Sequence, residues 1–276
     1  MNLADSGSVF RDLHRPGNPF VLMNVWDKGS ARVAASLGAK ALGTTSSGHA
    51  FTIGKRDMGH VSRDEAMSHA QDIVRATPLP VSGDFENGYG DAPGDVAQTI
   101  RHAAEIGLAG CSIEDTDMTD QSAYAFDHAV ERVRAGASAA RGLGRDFVFV
   151  ARADGIMNGV YDTEEAIRRL QAFESAGADC LYAPLPPGMD ELARICASVA
   201  RPVNALAAGP FASRRRAEFA AIGVARISLG GSMARVTHAA LINTARHILN
   251  DGDFSDFLSG ARGDEVEALL DIKEGN

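Results

Sequence analysis

AAEIGLAGCSIE (103–114) carries the unit that the architecture repeats: a helix-period end, then Gly107, then a short apolar run closing on a carboxylate. The same pattern recurs in AASLGAKAL (34–42), FESAGADCLYA (173–183) and FAAIGVARISL (219–229). Gly38, Gly107, Gly177 and Gly223 each stand where a helix C-terminus needs a left-handed residue. Each run that follows is short enough for a buried strand. Between these units lie FVLMNVW (20–26), LPVSGDFE (79–86), DFVFVARA (146–153) and RPVNAL (201–206), which brings the strand runs to eight. Helical spacing is expected over 28–37, 63–76, 93–106, 127–142, 163–176, 189–199, 211–221 and 233–249. Strands alternating with helices of this length imply βαβ units and a parallel sheet. Eight such units in about 250 residues match a (β/α)8 TIM barrel. No Pro/Gly/Ser linker divides the chain, so residues 1–276 read as a single barrel domain. Within it, 250–276 form a C-terminal extension, helical near 253–272. An open doubly wound sheet fits less well, because no GxGxxG follows the first strand.

Composition narrows the partners. The chain is 45% apolar and 23% charged, which is ordinary for a globular protein. Its 27 Lys and Arg against 36 Asp and Glu leave a formal charge of −9, a surface that repels nucleic acid. Cys111, Cys180 and Cys196 show no CxxC spacing and read as buried free thiols in a reducing compartment. No secretory h-region opens the sequence. The longest apolar stretches, such as Phe20–Met23, fall far short of the ~20 residues of a membrane span. The expectation is a cytoplasmic protein without membrane or nucleic-acid partners.

In a TIM barrel, reactive groups gather at the C-terminal ends of the strands. The third run ends SGDFENGYG (82–90), and alternation puts Ser82, Asp84 and Glu86 on one face. The fourth ends GCSIED (110–115), where Gly110, Ser112 and Glu114 share a face. If Asp84, Glu86 and Glu114 converge, like charges ~4 Å apart cost roughly 4 kcal/mol each pair, so they bind a cation or take up protons. Oxygen-only ligands favour Mg²⁺, with Mn²⁺ possible as a substitute. Solvated loop acids or helix caps are the plainer alternative. The fifth run, VFVARADG (148–155), ends with Arg152, suited either to clamping a substrate carboxylate or to pairing with Asp154 or Glu114. After the second strand, TTSSGHAFTIGKRDMGHVSRDE (44–65) forms a long lid-like connection in which Ser46, Ser47 and Gly48 offer donors to an oxyanion.

With these motifs in hand, the chain resembles the isocitrate lyase/phosphoenolpyruvate mutase superfamily from about Asn24 to Gly231. The resemblance rests on SSG (46–48), Asp57, DFENGYG (84–90), SIED (112–115) and ARAD (151–154) in the family's order. It implies a (β/α)8 barrel, usually a homotetramer built from dimers that swap the last barrel helix, and a Mg²⁺ site for small 2-oxo or 2-hydroxy acids. By position, Asp84 is the implied direct metal ligand, with Glu86 and Glu114 acting through metal-bound water. Arg152 is the implied carboxylate clamp, Ser46–Gly48 hold the other end of the substrate, and Asp57 is the gate residue. The chain also departs from the pattern. The lyases' K-[KR]-C-G-H loop is replaced by TDMTDQSAYAFDH (116–128), which has no Cys, Lys or Gly. GKRDMGH (54–60) looks similar but follows the wrong strand and lacks the Cys. The phosphonomutases' K-T-N-S type segment is missing too, and NALAAG (204–209) does not match the Asn-rich segment of isocitrate lyases.

The expected chemistry is therefore a Mg²⁺-dependent C–C bond lyase or decarboxylase on a small 2-oxo or 2-hydroxy (di)carboxylate, through a metal-stabilised pyruvate enolate. Decarboxylation needs no general acid to release CO₂, whereas cleavage of a 2-hydroxy acid needs both a base and an acid. Tyr89, Tyr124, His49, His60 and His128 are candidates for those roles, and of these Tyr89 joins Arg152 and Asp57 as a catalytic expectation. Three alternatives stand beside this reading. One is P–C bond chemistry on phosphonopyruvate or phosphoenolpyruvate. Another is a phosphate-gripping barrel that uses SLGGS (228–232). The third is a barrel that serves as a non-catalytic scaffold.

Overall fold

The computed structural model describes residues 3–271. Eight strands close a barrel: β1 (Phe20–Asn24), β2 (Ala41–Gly43), β3 (Val81–Asp84), β4 (Gly110–Glu114), β5 (Val148–Arg152), β6 (Cys180–Tyr182), β7 (Val203–Leu206) and β8 (Arg226–Ser228). Each is parallel to the next, and β8 pairs with β1 in the register Phe20↔Arg226 and Leu22↔Ser228. Around them run α1 (Leu3–Leu13), α2 (Lys28–Ser36), α3 (Ser46–Thr52), α4 (Arg63–Ala76), α5 (Pro93–Glu105), α6 (Phe126–Arg141), α7 (Thr163–Ala176), α8 (Met189–Ala197), α9 (Arg216–Ala221), α10 (Ser232–Arg246) and α11 (Gly263–Leu270). The TIM-barrel expectation with a helical C-terminal extension holds. The four glycines of the repeat take positive φ, Gly38 at 92°, Gly107 at 96°, Gly177 at 104° and Gly223 at 88°. Only glycine enters that region without a steric penalty, so the repeat marks real helix ends.

The outward faces of the strands and the inner faces of the helices share a core in which Ile73, Ile100, Leu108, Phe149, Leu170 and Phe173 are fully buried. The barrel's lower end is closed by α1, which the sequence reading does not contain. Phe10 of α1 packs beside Phe20 with ring centroids 6.0 Å apart and joins Leu22, Val148, Val150 and Cys180 in one cluster. Gly110 makes room for this plug, since a Cβ there would stand 2.4 Å from Val148 O and 3.1 Å from the Phe10 ring.

Three segments differ from the sequence expectation. The 44–65 connection is not one long loop: Thr45 caps α3, its Oγ1 accepting from Gly48 N at 3.4 Å, and the loop shrinks to 53–62. The expected helix 211–221 is split. Pro210 sits in a 3-10 turn, and α9 starts only where Glu218 Oε2 accepts from Arg215 N at 2.8 Å. The extension is not one helix over 253–272 but a 3-10 turn at 255–259 followed by α11, while 272–276 lie outside the described residues. α11 docks on α2, where Ser36 Oγ donates to Leu269 O at 2.6 Å. Cys111, Cys180 and Cys196 are free thiols, the first two buried and Cys196 half-buried. Among the described residues no helix is long and apolar enough to cross a membrane.

Candidate active site

The C-terminal ends of the strands enclose a cavity of about 400 Å³. Ser46, Ser47, Asp57, Asp84 and Arg152 all line it. Asp84 ends β3 and is fixed by backbone and side chains together: its Oδ2 accepts from Ser46 N at 3.1 Å and its Oδ1 from Ser112 Oγ at 3.4 Å. Arg152 ends β5 and donates Nη1 to Asp84 Oδ1 at 2.7 Å, while its Nη2 lies 3.0 Å from Glu114 Oε2. Its other edge donates Nε to Asp154 Oδ1 at 3.1 Å. One guanidinium thus serves three carboxylates, and both pairings foreseen for it, with Glu114 and with Asp154, occur alongside Asp84.

Acid outnumbers base here, and burial amplifies the imbalance. Burial raises the Glu114 carboxyl well above its usual range, against the pull of Arg152. Asp154, fully buried, is pushed up to about 6 by the same desolvation. Glu86 rises to about 7, first through burial and then through Asp57 and Asp84. Asp57 is raised by burial and by Asp84. Glu86 also carries backbone strain, with φ at 45° immediately after β3, and is held there by Glu114 N donating to its carbonyl at 2.9 Å and by Gly59 N donating to Oε2 at 3.1 Å.

The family resemblance implies a divalent cation at this site, and the donor set fits one. Glu114 Oε1 and Asp57 Oδ1 are buried with no hydrogen-bond partner. The ligands on offer are hard carboxylate oxygens, suited to Mg²⁺ or Mn²⁺. Among the described residues no three His, Cys, Asp or Glu side chains are gathered tightly enough to hold an ion by themselves.

Other expected residues take different places. Gly48 does not line the cavity: a Cβ there would stand 2.6 Å from Thr45 Cγ2 and 3.0 Å from Trp26 Cβ, so this glycine lets α3 pack closely. Tyr89 sits behind Asp84 and Glu86 in a smaller pocket, off the main cavity. His49 stacks on His69 with ring centroids 3.8 Å apart and is pressed down to about 4 by burial. His60 is exposed, turned onto Met58 O at 3.0 Å. Tyr124 Oη donates to Asp91 Oδ1 at 2.5 Å, and His128 Nε2 lies 2.8 Å from Asp91 O. None of these five candidates reaches the main cavity. In SLGGS, Leu229 N and Gly230 N already donate to Asn24 Oδ1 at 2.8 and 3.2 Å, which leaves little of a phosphate cradle.

Several residues that shape the site were not anticipated. Asp115 braces the Arg152 loop, its Oδ1 accepting from Asp154 N at 2.8 Å and its Oδ2 from Tyr161 Oη at 2.8 Å and Arg169 Nη1 at 3.0 Å. Asn24, Tyr182 and Arg226 line the cavity from β1, β6 and β8. The missed signal was parity: each is a polar group at an inward position of an otherwise apolar strand run.

Comparison with known proteins agrees with this geometry. The family model described as phosphoenolpyruvate phosphomutase matches residues 10–249. A Burkholderia cenocepacia J2315 protein, provisionally assigned as a lyase/mutase, is 42% identical and superposes with a TM-score of 0.93 over 98% of this chain and 97% of its own. The oxaloacetate decarboxylase of Chromohalobacter salexigens is 30% identical over 238 residues, 83% of this chain and 80% of that protein. An oxaloacetate acetylhydrolase in complex with oxalate is 26% identical, with a TM-score of 0.85 over 96% of this chain and 94% of that one. Family model, relatives and the carboxylate–arginine cluster converge: the chain belongs to the isocitrate lyase/phosphoenolpyruvate mutase superfamily of lyases and mutases.

Proposed function

We propose that the chain is a Mg²⁺-dependent lyase or decarboxylase for a small 2-oxo or 2-hydroxy (di)carboxylic acid, with decarboxylation of a 2-oxo diacid the reaction best matched to its cavity. The observation that carries this reading is the makeup of the cavity wall. It holds Asp84, Asp57 and Arg152 but no His, Cys or Lys. Loss of CO₂ from a 2-oxo acid needs a sink for negative charge and no general acid at the departing group, whereas cleaving a 2-hydroxy acid needs a dedicated acid–base pair. Asp84 would hold a divalent cation, with Glu86 and Glu114 reaching it through water, and that ion would supply the positive charge.

The chain's own groups do the rest. Arg152 Nη1, now bonded to Asp84 Oδ1, is the donor that a substrate carboxylate takes over. Ser46 and Ser47 line the same cavity from α3 and offer hydroxyls to the substrate beside Arg152. Asp57 lines the cavity from the 53–62 loop and is the carboxyl placed to return a proton to the carbanion after CO₂ leaves. The relatives named oxaloacetate decarboxylase and oxaloacetate acetylhydrolase support a C4 2-oxo diacid.

The test is turnover of oxaloacetate and of C4–C6 2-hydroxy diacids with and without EDTA. Chelation-sensitive pyruvate release is the expected result, and turnover indifferent to EDTA ends the metal reading. Phosphate release from phosphonopyruvate moves the assignment to P–C chemistry. No turnover, together with no thermal shift from Mg²⁺ plus oxalate, moves it to a scaffold.

Self-association belongs to the same proposal. α10 buries only Ala234 and leaves Val236, Leu241 and Ile242 exposed, and Leu249, Phe254, Phe257 and Leu258 continue the apolar surface beyond it. Such a surface suits burial against further copies of the chain. A monomer by light scattering refutes it.

A further inference from the structure

The cavity has a floor that the carboxylate chemistry leaves unexplained. Arg226 opens β8, in register with Phe20 of β1 and Asn204 of β7, and so enters the barrel about 7 Å below Ser228. It is only 2% exposed. Its Nε donates to Asn204 Oδ1 at 2.8 Å, and Asn204 in turn donates Nδ2 to Ser228 Oγ at 2.9 Å. Asn204 therefore holds the Nε of the guanidinium with its carbonyl oxygen and is itself anchored on Ser228. On the other edge, Nη1 has no hydrogen-bond partner. Among the described residues no ion pair is made by Arg226, although Arg152, at the same cavity, has three.

A buried charge without a counter-ion is costly to desolvate. The side chain is nonetheless part of the wall of the same cavity as Asp84 and Arg152. Between floor and rim Gly43, Ser82, Ser112 and Ser228 line the wall beside Leu22, Leu206 and Tyr182. In a TIM barrel those inward positions are ordinarily filled by bulky branched residues. Here Arg226 closes the lower end of the cavity, its Nη1 buried and unpartnered there.

We propose that Arg226 is a specificity-determining residue, whose free Nη edge, oriented by Asn204, seats the far carboxylate of a dicarboxylic substrate (in a four-carbon 2-oxo diacid, the one that departs as CO₂) while Arg152 holds the 2-oxo acid end. The inference rests on the oxo-acid reading above and adds to it where the second charge goes. A guanidinium whose Nε is already spoken for still offers two N–H donors to one carboxylate. A monocarboxylic 2-oxo acid of equal length puts a methyl group there and leaves Arg226 unpaired, so the site selects for the diacid.

The experiment compares binding, in the presence of Mg²⁺, of oxalate and of four- and five-carbon 2-oxo diacids, each diacid set against the 2-oxo monoacid of the same length. Expected for the wild type is at least a tenfold tighter Kd for one diacid over its monoacid. Arg226→Met is expected to erase that preference and to bind oxalate as the wild type does. Arg226→Lys keeps the charge but not the fork, and is expected to weaken the diacid several-fold with oxalate unchanged, which also decides the matter if the Met variant does not fold. A wild type that binds diacid and monoacid alike, or a preference that survives in either variant undiminished, overturns the proposal. Failure of oxalate itself to bind the wild type refutes the metal-dependent oxo-acid reading; oxalate binding without diacid preference refutes only the role of Arg226.

Discussion

Replacing Arg152 with Met tests whether the guanidinium is the stand-in for a cation. Its Nη1 lies 2.7 Å from Asp84 Oδ1, its Nη2 3.0 Å from Glu114 Oε2, and its Nε 3.1 Å from Asp154 Oδ1. Methionine keeps most of the volume and removes every donor, leaving Glu114 and Asp154, both buried, without a counter-charge. Breaking a buried pair from one side costs about 3–5 kcal/mol. At roughly 2–4 °C per kcal/mol for a chain of this size, the metal-free melting temperature drops by roughly 6–20 °C. The loss shrinks toward pH 5, where Glu114 and Asp154, already raised by burial, take up protons and the uncompensated charge disappears. Mg²⁺ reverses the sign of the comparison. With its competitor for Asp84 gone, the ion binds the variant more tightly, and each tenfold gain in affinity adds about 1.4 kcal/mol of stabilisation at saturating metal. Scanning calorimetry of both proteins with EDTA and with Mg²⁺ reads all of this, and oxaloacetate turnover should vanish in the variant under either condition. Equal thermal shifts on adding Mg²⁺ to wild type and variant would falsify the idea that guanidinium and metal compete for one carboxylate cluster.

Glu86 gives a pH signature of opposite sign to an ordinary ion-paired acid. Its folded pKa of about 7 lies above its unfolded 4.5, so the native state binds the extra proton between those values and stability falls as pH rises through that window. Glu86→Gln should flatten this slope in metal-free melts, and parallel pH profiles for the two proteins would contradict it. Phe10→Ala removes the fully buried plug below the barrel and should cost about 3–5 kcal/mol in denaturant unfolding. The Kd for oxalate should not move, and a tenfold weakening would mean the floor and the mouth are coupled. Gly231→Ala places a Cβ 2.2 Å from Ser47 Oγ, which must rotate away. KM for the oxo acid should rise several-fold with little change in melting temperature, and an unchanged KM would remove Ser47 from the binding site.

The barrel could be read from the sequence because its punctuation is local. A glycine with φ near 90° at the end of a helix is required by backbone sterics whatever surrounds it, so Gly38, Gly107, Gly177 and Gly223 mark the repeat without knowledge of the tertiary fold. The misses have the opposite character. α1 carries Gly7 and two serines among its eleven residues and is a poor helix by propensity. It is held by what it meets: Phe10 against the barrel floor, and Arg11 donating to Asp179 Oδ1 at 2.8 Å and Phe147 O at 3.1 Å. α3 likewise begins Ser-Ser-Gly and depends on the Thr45 cap and on the close approach to Trp26 that Gly48 permits.

The candidate site divides along the same line. Asp84, Glu114 and Arg152 close their strands, so alternation and barrel geometry together send them to one mouth, and their mutual pairing follows. Gly48 lies in the first turn of α3 and Tyr89 in the turn between β3 and α5, where local backbone geometry decides direction: Tyr89 has φ at 61° and turns behind Asp84. Arg226 was hidden for a different reason. In ARISL it reads as a charged residue at the entrance of a strand, a position that alternation places inward but that charge ordinarily sends to solvent. The two rules conflict, and burial wins because Asn204 and the cavity above it give the guanidinium polar company inside the barrel. Asn24 and Asn204 break the apolar pattern for an internal reason, since the amide of Asn24 binds Thr44 O and the Leu229 and Gly230 N–H groups and that of Asn204 binds Arg226 and Ser228, whereas Arg226 keeps an unpartnered Nη1.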